Sequence, residues 1–188
     1  FIRSLYYLLS KEVASIGLNY NDLESASLFG DGAAAVVVSQ VGNNNSSGIV
    51  AALMNTYSSG WKHCMIPGGG TGYPPEDWVP DNHEMFQFHM NGKEIFRLAL
   101  QILPDFIDEL MIQGDTKIDE IDVVIPHQAS LSALNIIQKK LKIKADRMIN
   151  IVEDYGNMIA ASIPMALHQA IKTHKLQRGD RALMIGTS

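Results

Sequence analysis

The stretch at 123–132, VVIPHQASLS, constrains the fold of this chain more than any other feature of the sequence. Its apolar, β-branched run at 123–126 follows the charged residues at 119–122 and leads directly into His127. A helical pattern then begins at about residue 131. This order predicts a buried strand that carries His127 at its carboxyl end, the edge where open α/β sheets bind ligands.

A second strand-to-helix unit follows about thirty residues later and repeats this arrangement. Residues 148–152 have the composition of a strand, Gly156-Asn157 marks a turn, and helical spacing extends over about 162–174. Strands that alternate with helices predict βαβ units and an α/β fold with a mixed, mainly parallel sheet.

The remaining pattern predicts two units, 1–45 and 46–188, joined at the polar stretch NNNSSG. The turn Gly30-Asp31-Gly32 precedes small residues on which something must pack closely, and Asp31 is interpreted as accepting local hydrogen bonds. Pro104 should kink or divide a long helix that begins at Gly92 and ends at Gly114. Further strands are predicted at 4–10, 33–38, 49–57, 84–91 and 181–185.

The composition excludes several classes of protein. With 188 residues, 46% of them hydrophobic and 19% charged, the chain can bury a substantial core. A net charge of −5 gives no electrostatic reason to expect nucleic acid. No apolar run approaches the roughly 20 residues of a membrane span. We therefore expect a cytoplasmic protein, and because the chain starts without methionine and stops just after a strand, we expect a piece of a longer one.

His127 and Asn157 are the main candidates for chemistry. Each alone is more often structural, the histidine as a satisfied core residue and the asparagine as a cap or turn residue. Their matching positions in consecutive units favour a shared site, because imidazole and carboxamide can both donate hydrogen bonds to one developing oxyanion.

Such a pair lacks a nucleophile. Cys64 is the only thiol and lies in a loop with no helix N-terminus to lower its pKa, so we interpret it as incidental. The sequence has no G-x-S-x-G motif, the histidines lack a zinc-binding spacing, and GGGTG lacks the ending of a nucleotide-binding loop. No metal is expected.

Four ordered motifs, FGDGAAAVVV, MNGKEIFRLA, VIPHQAS and YGNMIAASIPMAL, resemble the C-terminal part of a 3-oxoacyl-[acyl-carrier-protein] synthase III of the thiolase superfamily. The resemblance covers nearly the whole chain. It implies a duplicated α/β fold, usually homodimeric, in which a cysteine of the N-terminal half holds an acyl group as a thioester. Because that cysteine has no counterpart here, the chain alone should be inactive.

The resemblance also implies a decarboxylative condensation in fatty acid biosynthesis. Malonyl-carrier protein loses CO2, and its carbanion attacks the acyl thioester while His127 and Asn157 polarise the malonyl carbonyl and stabilise the enolate. Acyl-CoA and malonyl-carrier protein are substrates, and no cofactor is expected. Ser132 stands where many relatives carry an arginine. The predicted substrate-binding and carrier-binding residues are Arg97, Gln128, Lys139, Lys140, Met158 and Ile159.

Three alternatives remain open. The first is head-to-head condensation of two acyl-CoA chains, or acyl transfer to another acceptor, by a relative with the same motifs. The second is a non-catalytic partner subunit, which would be expected to lack both oxyanion donors. The third is a thiol enzyme that uses Cys64 together with His127.

Overall fold

The computed structural model describes residues 5–40 and 47–187. Short 3-10 helices occupy several of the connections. None of the helices in the described ranges is long and apolar enough to cross a membrane. The strands are β1 (Leu5–Glu12), β2 (Gly32–Ser39), β3 (Cys64–Met65), β4 (His89–Met90), β5 (Val123–Pro126) and β6 (Ala182–Ile185). The α-helices are α1 (Leu23–Ala26), α2 (Gly92–Gln113), α3 (Leu131–Lys140), α4 (Val152–Tyr155) and α5 (Ser162–Lys172).

Strand β5 lies at the centre of the core. It pairs in parallel with β6, with Val123 opposite Ala182, and every one of its residues is buried. Val123 and Ile125 pack on one side against α5, while Val124 packs on the other side against α2. Burial on both faces explains why the sequence of β5 is continuously apolar rather than alternating.

The predicted helices are confirmed. α3 begins at Leu131, where the Ser130 side chain accepts a hydrogen bond from Ala133 N at 3.2 Å and caps the first turn. α2 extends over 22 residues and continues through Pro104, so the alternative that Pro104 divides the helix is wrong, and a kink there stays a prediction.

The antiparallel hairpin of β1 and β2 confirms two predicted strands, but the expectation that the first one is buried is wrong. Tyr7 and Leu9 of β1 are 68% and 80% exposed, and Val37 of β2 is 59% exposed. One face of this hairpin packs against α5 and the turn at 159–161. Within the described ranges Tyr6 and Leu8, on the opposite face of β1 from Tyr7 and Leu9, are also 63% and 60% exposed, so solvent reaches both faces of the first part of this strand.

Three other predicted strands are corrected. Residues 49–57 contain no strand, and of 84–91 only β4 is a strand, because a 3-10 helix occupies 80–86. Residues 148–152 contribute only a single parallel bridge between Met148 and Val124. They are apolar because they pack in the core. The predicted junction of the two units at 45/46 touches residues 41–46, outside the described ranges.

Candidate active site

His127 lies directly beyond the carboxyl end of β5. Its backbone N–H donates to the carbonyl oxygen of Ile185 at 2.7 Å, so the parallel pairing with β6 extends to the histidine itself. The carbonyl oxygen of His127 accepts from Ala129 N at 3.0 Å, which turns the chain sharply towards α3. The backbone of His127 is therefore fixed on both sides.

Burial lowers the pKa of His127 below its ordinary value, because a charged imidazolium is poorly solvated in this position. A neutral ring keeps one N–H as a donor. In the part of the chain that the structure describes, no protein group hydrogen-bonds to either ring nitrogen of His127. The ring is thus neutral, partly desolvated and free to donate to a ligand.

Asn157 is held with its amide group in a defined orientation. Its Oδ1 accepts a hydrogen bond from Ile159 N at 2.9 Å, and the residue is 9% exposed. Within the described residues, Nδ2 has no hydrogen-bond partner. The carboxamide therefore uses its oxygen for the local turn and leaves its NH2 group available as a donor.

The turn after Asn157 is unusual and tightly bonded. Ile159 has a φ of 49°, a left-handed conformation that is costly for a β-branched residue. The fully buried Ser162 accepts from Met158 N at 3.0 Å through its hydroxyl oxygen, and Ala161 N donates to Met158 O at 2.9 Å. These bonds hold the backbone in a conformation that it would not adopt alone.

A distant segment clamps the backbone of Asn157. Asn157 N donates to Leu28 O at 2.7 Å, and Gly30 N donates to Asn157 O at 3.0 Å. A side chain at Gly30 would overlap the carbonyl oxygen of Tyr155, and one at Gly156, whose φ is 68°, would lie 3.1 Å from Gly30 N. The two segments can approach this closely because both Gly30 and Gly156 lack a side chain.

The same segment confirms the close packing expected at the start of β2. A Cβ at Gly32 would lie 2.6 Å from the sulfur of Met158. Asp31, however, does not serve as a local turn residue. It accepts from the N–H and the hydroxyl of Ser15, at 3.0 and 2.6 Å, and so fixes the segment to a loop sixteen residues earlier in the chain.

His127 and the first turn of α5 both lie against Gly186, which follows β6. A Cβ at Gly186 would lie 3.3 Å from the Cβ of His127 and 3.1 Å from Cδ1 of Ile163. Ile163 belongs to the first turn of α5, which begins five residues after Asn157. Gly186 thus allows the start of α5 to approach His127, and a site shared by His127 and Asn157 stays a prediction.

Two predicted substrate contacts are wrong. Gln128 is fully buried, and its carboxamide bonds only to backbone groups of the core, so it cannot touch a substrate. Met158 is 1% exposed and belongs to the core cluster around β5, so it does not line the mouth of the site. Ile159, which is 41% exposed, remains the candidate for that mouth.

The predicted basic residues lie away from His127 and Asn157 along the chain. Arg97 is exposed on α2 and forms an ion pair with Glu94. Lys139 and Lys140 occupy the exposed last turn of α3, about 12 Å along the helix from its first residue. A role in carrier docking stays a prediction for all three.

Cys64 has none of the features of an activated thiol. It is part of the short strand β3, which pairs with β4, and partial burial raises its pKa. A raised pKa leaves less reactive thiolate near neutral pH.

The sequence did not reveal the positioning roles of Gly30, Ser162 and Gly186. The signal for Gly30 was present in the FGDG turn and the small residues after it. Ser162 and Gly186 gave no such signal, because their roles depend on groups that only the folded chain brings close.

The helix-flanked parallel strands, with a histidine beyond β5 and an asparagine in the following turn, have the architecture of a thiolase-like α/β protein. Two family models match the chain: the 3-oxoacyl-[acyl-carrier-protein] synthase III model over residues 7–58 and its C-terminal model over 112–188. The chain belongs to the 3-oxoacyl-[acyl-carrier-protein] synthase III family.

Individual relatives agree with this assignment. The chain is 34% identical over 178 residues to a β-ketoacyl-[acyl-carrier-protein] synthase III of Syntrophomonas wolfei, covering 95% of this chain and 53% of the relative. The crystal structure of the Aquifex aeolicus synthase III superposes with a TM-score of 0.83 at 32% identity, over 98% of this chain and 54% of the other. Xanthomonas campestris OleA, at 16% identity and a TM-score of 0.74, shares the fold. The chain spans about half the length of the curated relatives it matches.

Proposed function

We propose that the complete protein is a β-ketoacyl-carrier-protein synthase of type III and that this chain supplies its oxyanion-binding half. The observation that carries the proposal is the state of the two donors: burial keeps His127 neutral, and Oδ1 of Asn157 is occupied, so each presents N–H groups without negative charge. The names of the relatives support the same reaction class.

In the proposed reaction, an acyl group is held as a thioester on a cysteine outside this chain. The bond between the malonyl carboxylate and its α-carbon breaks, CO2 leaves, and the electron pair forms an enolate of the carrier thioester. Hydrogen bonds from His127 and Asn157 stabilise the negative oxygen. The α-carbon then attacks the acyl thioester carbonyl, and the cysteine leaves as a thiolate.

The carrier or CoA approaches past Ile159, the exposed residue of the Asn157 turn. Arg97, Lys139 and Lys140 are proposed as contacts for the acidic carrier or for CoA phosphates. The proposal includes a cytoplasmic homodimer that acts in fatty acid biosynthesis, and no cofactor beyond the two thioester substrates.

Decarboxylation of malonyl-carrier protein by the complete protein tests the proposal. His127→Ala and Asn157→Ala should each lower the rate by on the order of 10², the usual effect of removing one oxyanion donor. Asn157→Asp is the sharper variant, because it keeps an acceptor for Ile159 N and replaces only the NH2 group. Cys64→Ser is the control and should leave the rate unchanged. Undiminished decarboxylation in the His127 and Asn157 variants would refute the proposal.

A further inference from the structure

Pro126 interrupts the backbone pairing of β5 on the side opposite β6. Strand β5 lies between β6 and the segment at 148–149. Proline is normally avoided in a strand with neighbours on both sides, because it has no N–H to donate to the ladder. Ile149 N donates to Val124 O at 2.9 Å, as a parallel ladder requires. The next bond would run from residue 126 to Ile149 O, and proline has no N–H for it.

The side chain of Gln128 occupies this break. Its Nε2 donates to Ile149 O at 3.2 Å and to Pro126 O at 2.8 Å, while its Oε1 accepts from Ile151 N at 2.8 Å. Ile149 O and Ile151 N are the two groups that an uninterrupted ladder would have bonded to residue 126. The side chain of Gln128 is fully buried, and all of its hydrogen-bonding atoms have backbone partners.

We infer that the Gln128 carboxamide acts as an inserted peptide group that sets the separation between the strand end carrying His127 and the segment leading to Asn157. Gln128 is therefore a positioning residue: it bonds to the backbone directly before His127 and to the segment that leads to Asn157. The inference rests on the proposed function where it concerns rate, but the placement of His127 can be measured without any activity.

The consequence is geometric. A direct ladder would bring the backbone at 126 and 149–151 within one hydrogen bond, whereas the inserted carboxamide separates them by two hydrogen bonds and an amide group. Segment 149–151 continues into α4 and then Asn157, so the spacing at Gln128 is passed on to both donors. Misplacement by about 1 Å can cost on the order of 10² in rate.

The experiment compares Gln128→Leu with Gln128→Leu combined with Pro126→Ala, both in the complete protein. Alanine restores the N–H that can donate to Ile149 O, so the double variant can close the ladder directly. The matched control is Gln138→Leu, since Gln138 also donates from Nε2 to a backbone carbonyl, that of Ile143 at 3.3 Å, but at the far end of α3.

We expect Gln128→Leu to lower the kcat of malonyl-carrier protein decarboxylation by on the order of 10 to 10², with KM changed by less than about twofold. The double variant should regain most of the lost Tm while kcat stays low. Gln138→Leu should lower Tm without changing kcat. Recovery of kcat together with Tm would overturn the inference, because Gln128 would then be merely structural. Loss of folding in both Gln128 variants would overturn it as well.

A second readout separates this inference from the proposed function. If Gln128 sets the position of the strand end, its loss should move the His127 ring out of its buried position. The pKa of His127, measured by NMR titration, should then rise towards the ordinary value of 6.5 in both Gln128 variants and stay lowered in Gln138→Leu. An unchanged His127 pKa in the Gln128 variants would refute the positioning role even in a protein without decarboxylase activity. Absent decarboxylation in the unaltered protein, together with a shifted His127 pKa, would refute the proposed function alone.

Discussion

The strand that ends at His127 and the turn that carries Asn157 are stabilised in different ways. β5 is buried between α2 and α5, and its pairing with β6 continues to the backbone of His127. The Asn157 turn contains a left-handed isoleucine and depends on backbone bonds from Leu28 and Gly30. Dense core packing holds the backbone at His127, whereas a distant segment and a strained backbone hold the Asn157 turn. We therefore expect the Asn157 turn to be easier to disturb.

Of the variants that test this comparison, Gly30→Ala should have the largest effect on stability and on the decarboxylation rate. The new methyl group would overlap the Tyr155 carbonyl and push the FGDG segment away from Asn157. We expect a loss of about 1 to 3 kcal/mol in the free energy of unfolding, as for overpacking. Decarboxylation should fall by on the order of 10², as if the Asn157 donor were lost.

Gly72→Ala is the matched control for Gly30→Ala, because nothing lies within 4 Å of a Cβ at Gly72. It should leave both the unfolding free energy and the rate unchanged. If the two variants behaved equally in thermal unfolding and decarboxylation assays, the backbone bonds of Leu28 and Gly30 to Asn157 would not be holding this turn.

Ser162→Ala should have the next largest effect. It removes the acceptor for Met158 N and leaves a buried N–H without a partner, which costs about 1 to 3 kcal/mol. The rate should fall less than with Gly30→Ala, since the backbone bonds from Leu28 and Gly30 persist. Ser59→Ala, at an exposed position, is the control in denaturant unfolding. A Ser162 variant as stable as the control would show that the turn does not need this bond.

Ile159→Gly tests the strained backbone and should have a smaller effect of opposite sign. Glycine adopts a φ of 49° without the cost of about 1 to 2 kcal/mol that a side chain adds. Ile136 is also 41% exposed but lies inside α3, where glycine should destabilise by roughly 1 kcal/mol. Thermal unfolding should therefore separate the two variants, and an equal destabilisation would mean that Ile159 is not strained.

The lowered pKa of His127 should have the smallest effect, a change in stability with pH. Its folded-state pKa lies below 6.5, so the unfolded chain takes up a proton before the folded protein does. The contribution of His127 to stability is therefore fully present above pH 6.5 and is lost as the pH falls towards the lowered pKa.

Two measurements check this prediction. The stability of the native protein relative to His127→Gln should decrease on acidification only below about pH 6.5. The acid limb of the decarboxylation profile should also lie below that value. An acid limb above it would show that the ring is not desolvated.

The sequence predicted the unit around His127 well because its signals are local. The apolar run of β5 and the helical spacing of α3 lie within about twenty residues of each other. The unit around Asn157 was predicted only in part. Residues 148–152 are apolar because they pack in the core, not because they form a ladder, and Met158 is buried against Gly32.

The role of Gln128 shows why the rest could not be read from the sequence. A glutamine beside a candidate site histidine suggests a substrate contact, and only the positions of Ile149 and Ile151 show that its carboxamide bonds to backbone groups inside the core. Position in a motif therefore suggested a substrate contact, because the sequence does not show the direction of the side chain.

The backbone bonds between Gly30 and Asn157 have a practical consequence for protein engineering. A chimera that takes residues 46–188 from one synthase and the preceding unit from another would join the Asn157 turn to a foreign FGDG segment. Swaps within the family should therefore transfer residues 28–32 together with the C-terminal unit. A junction between residues 45 and 46 would take Asn157 from one parent and the backbone groups of Leu28 and Gly30 that bond to it from the other.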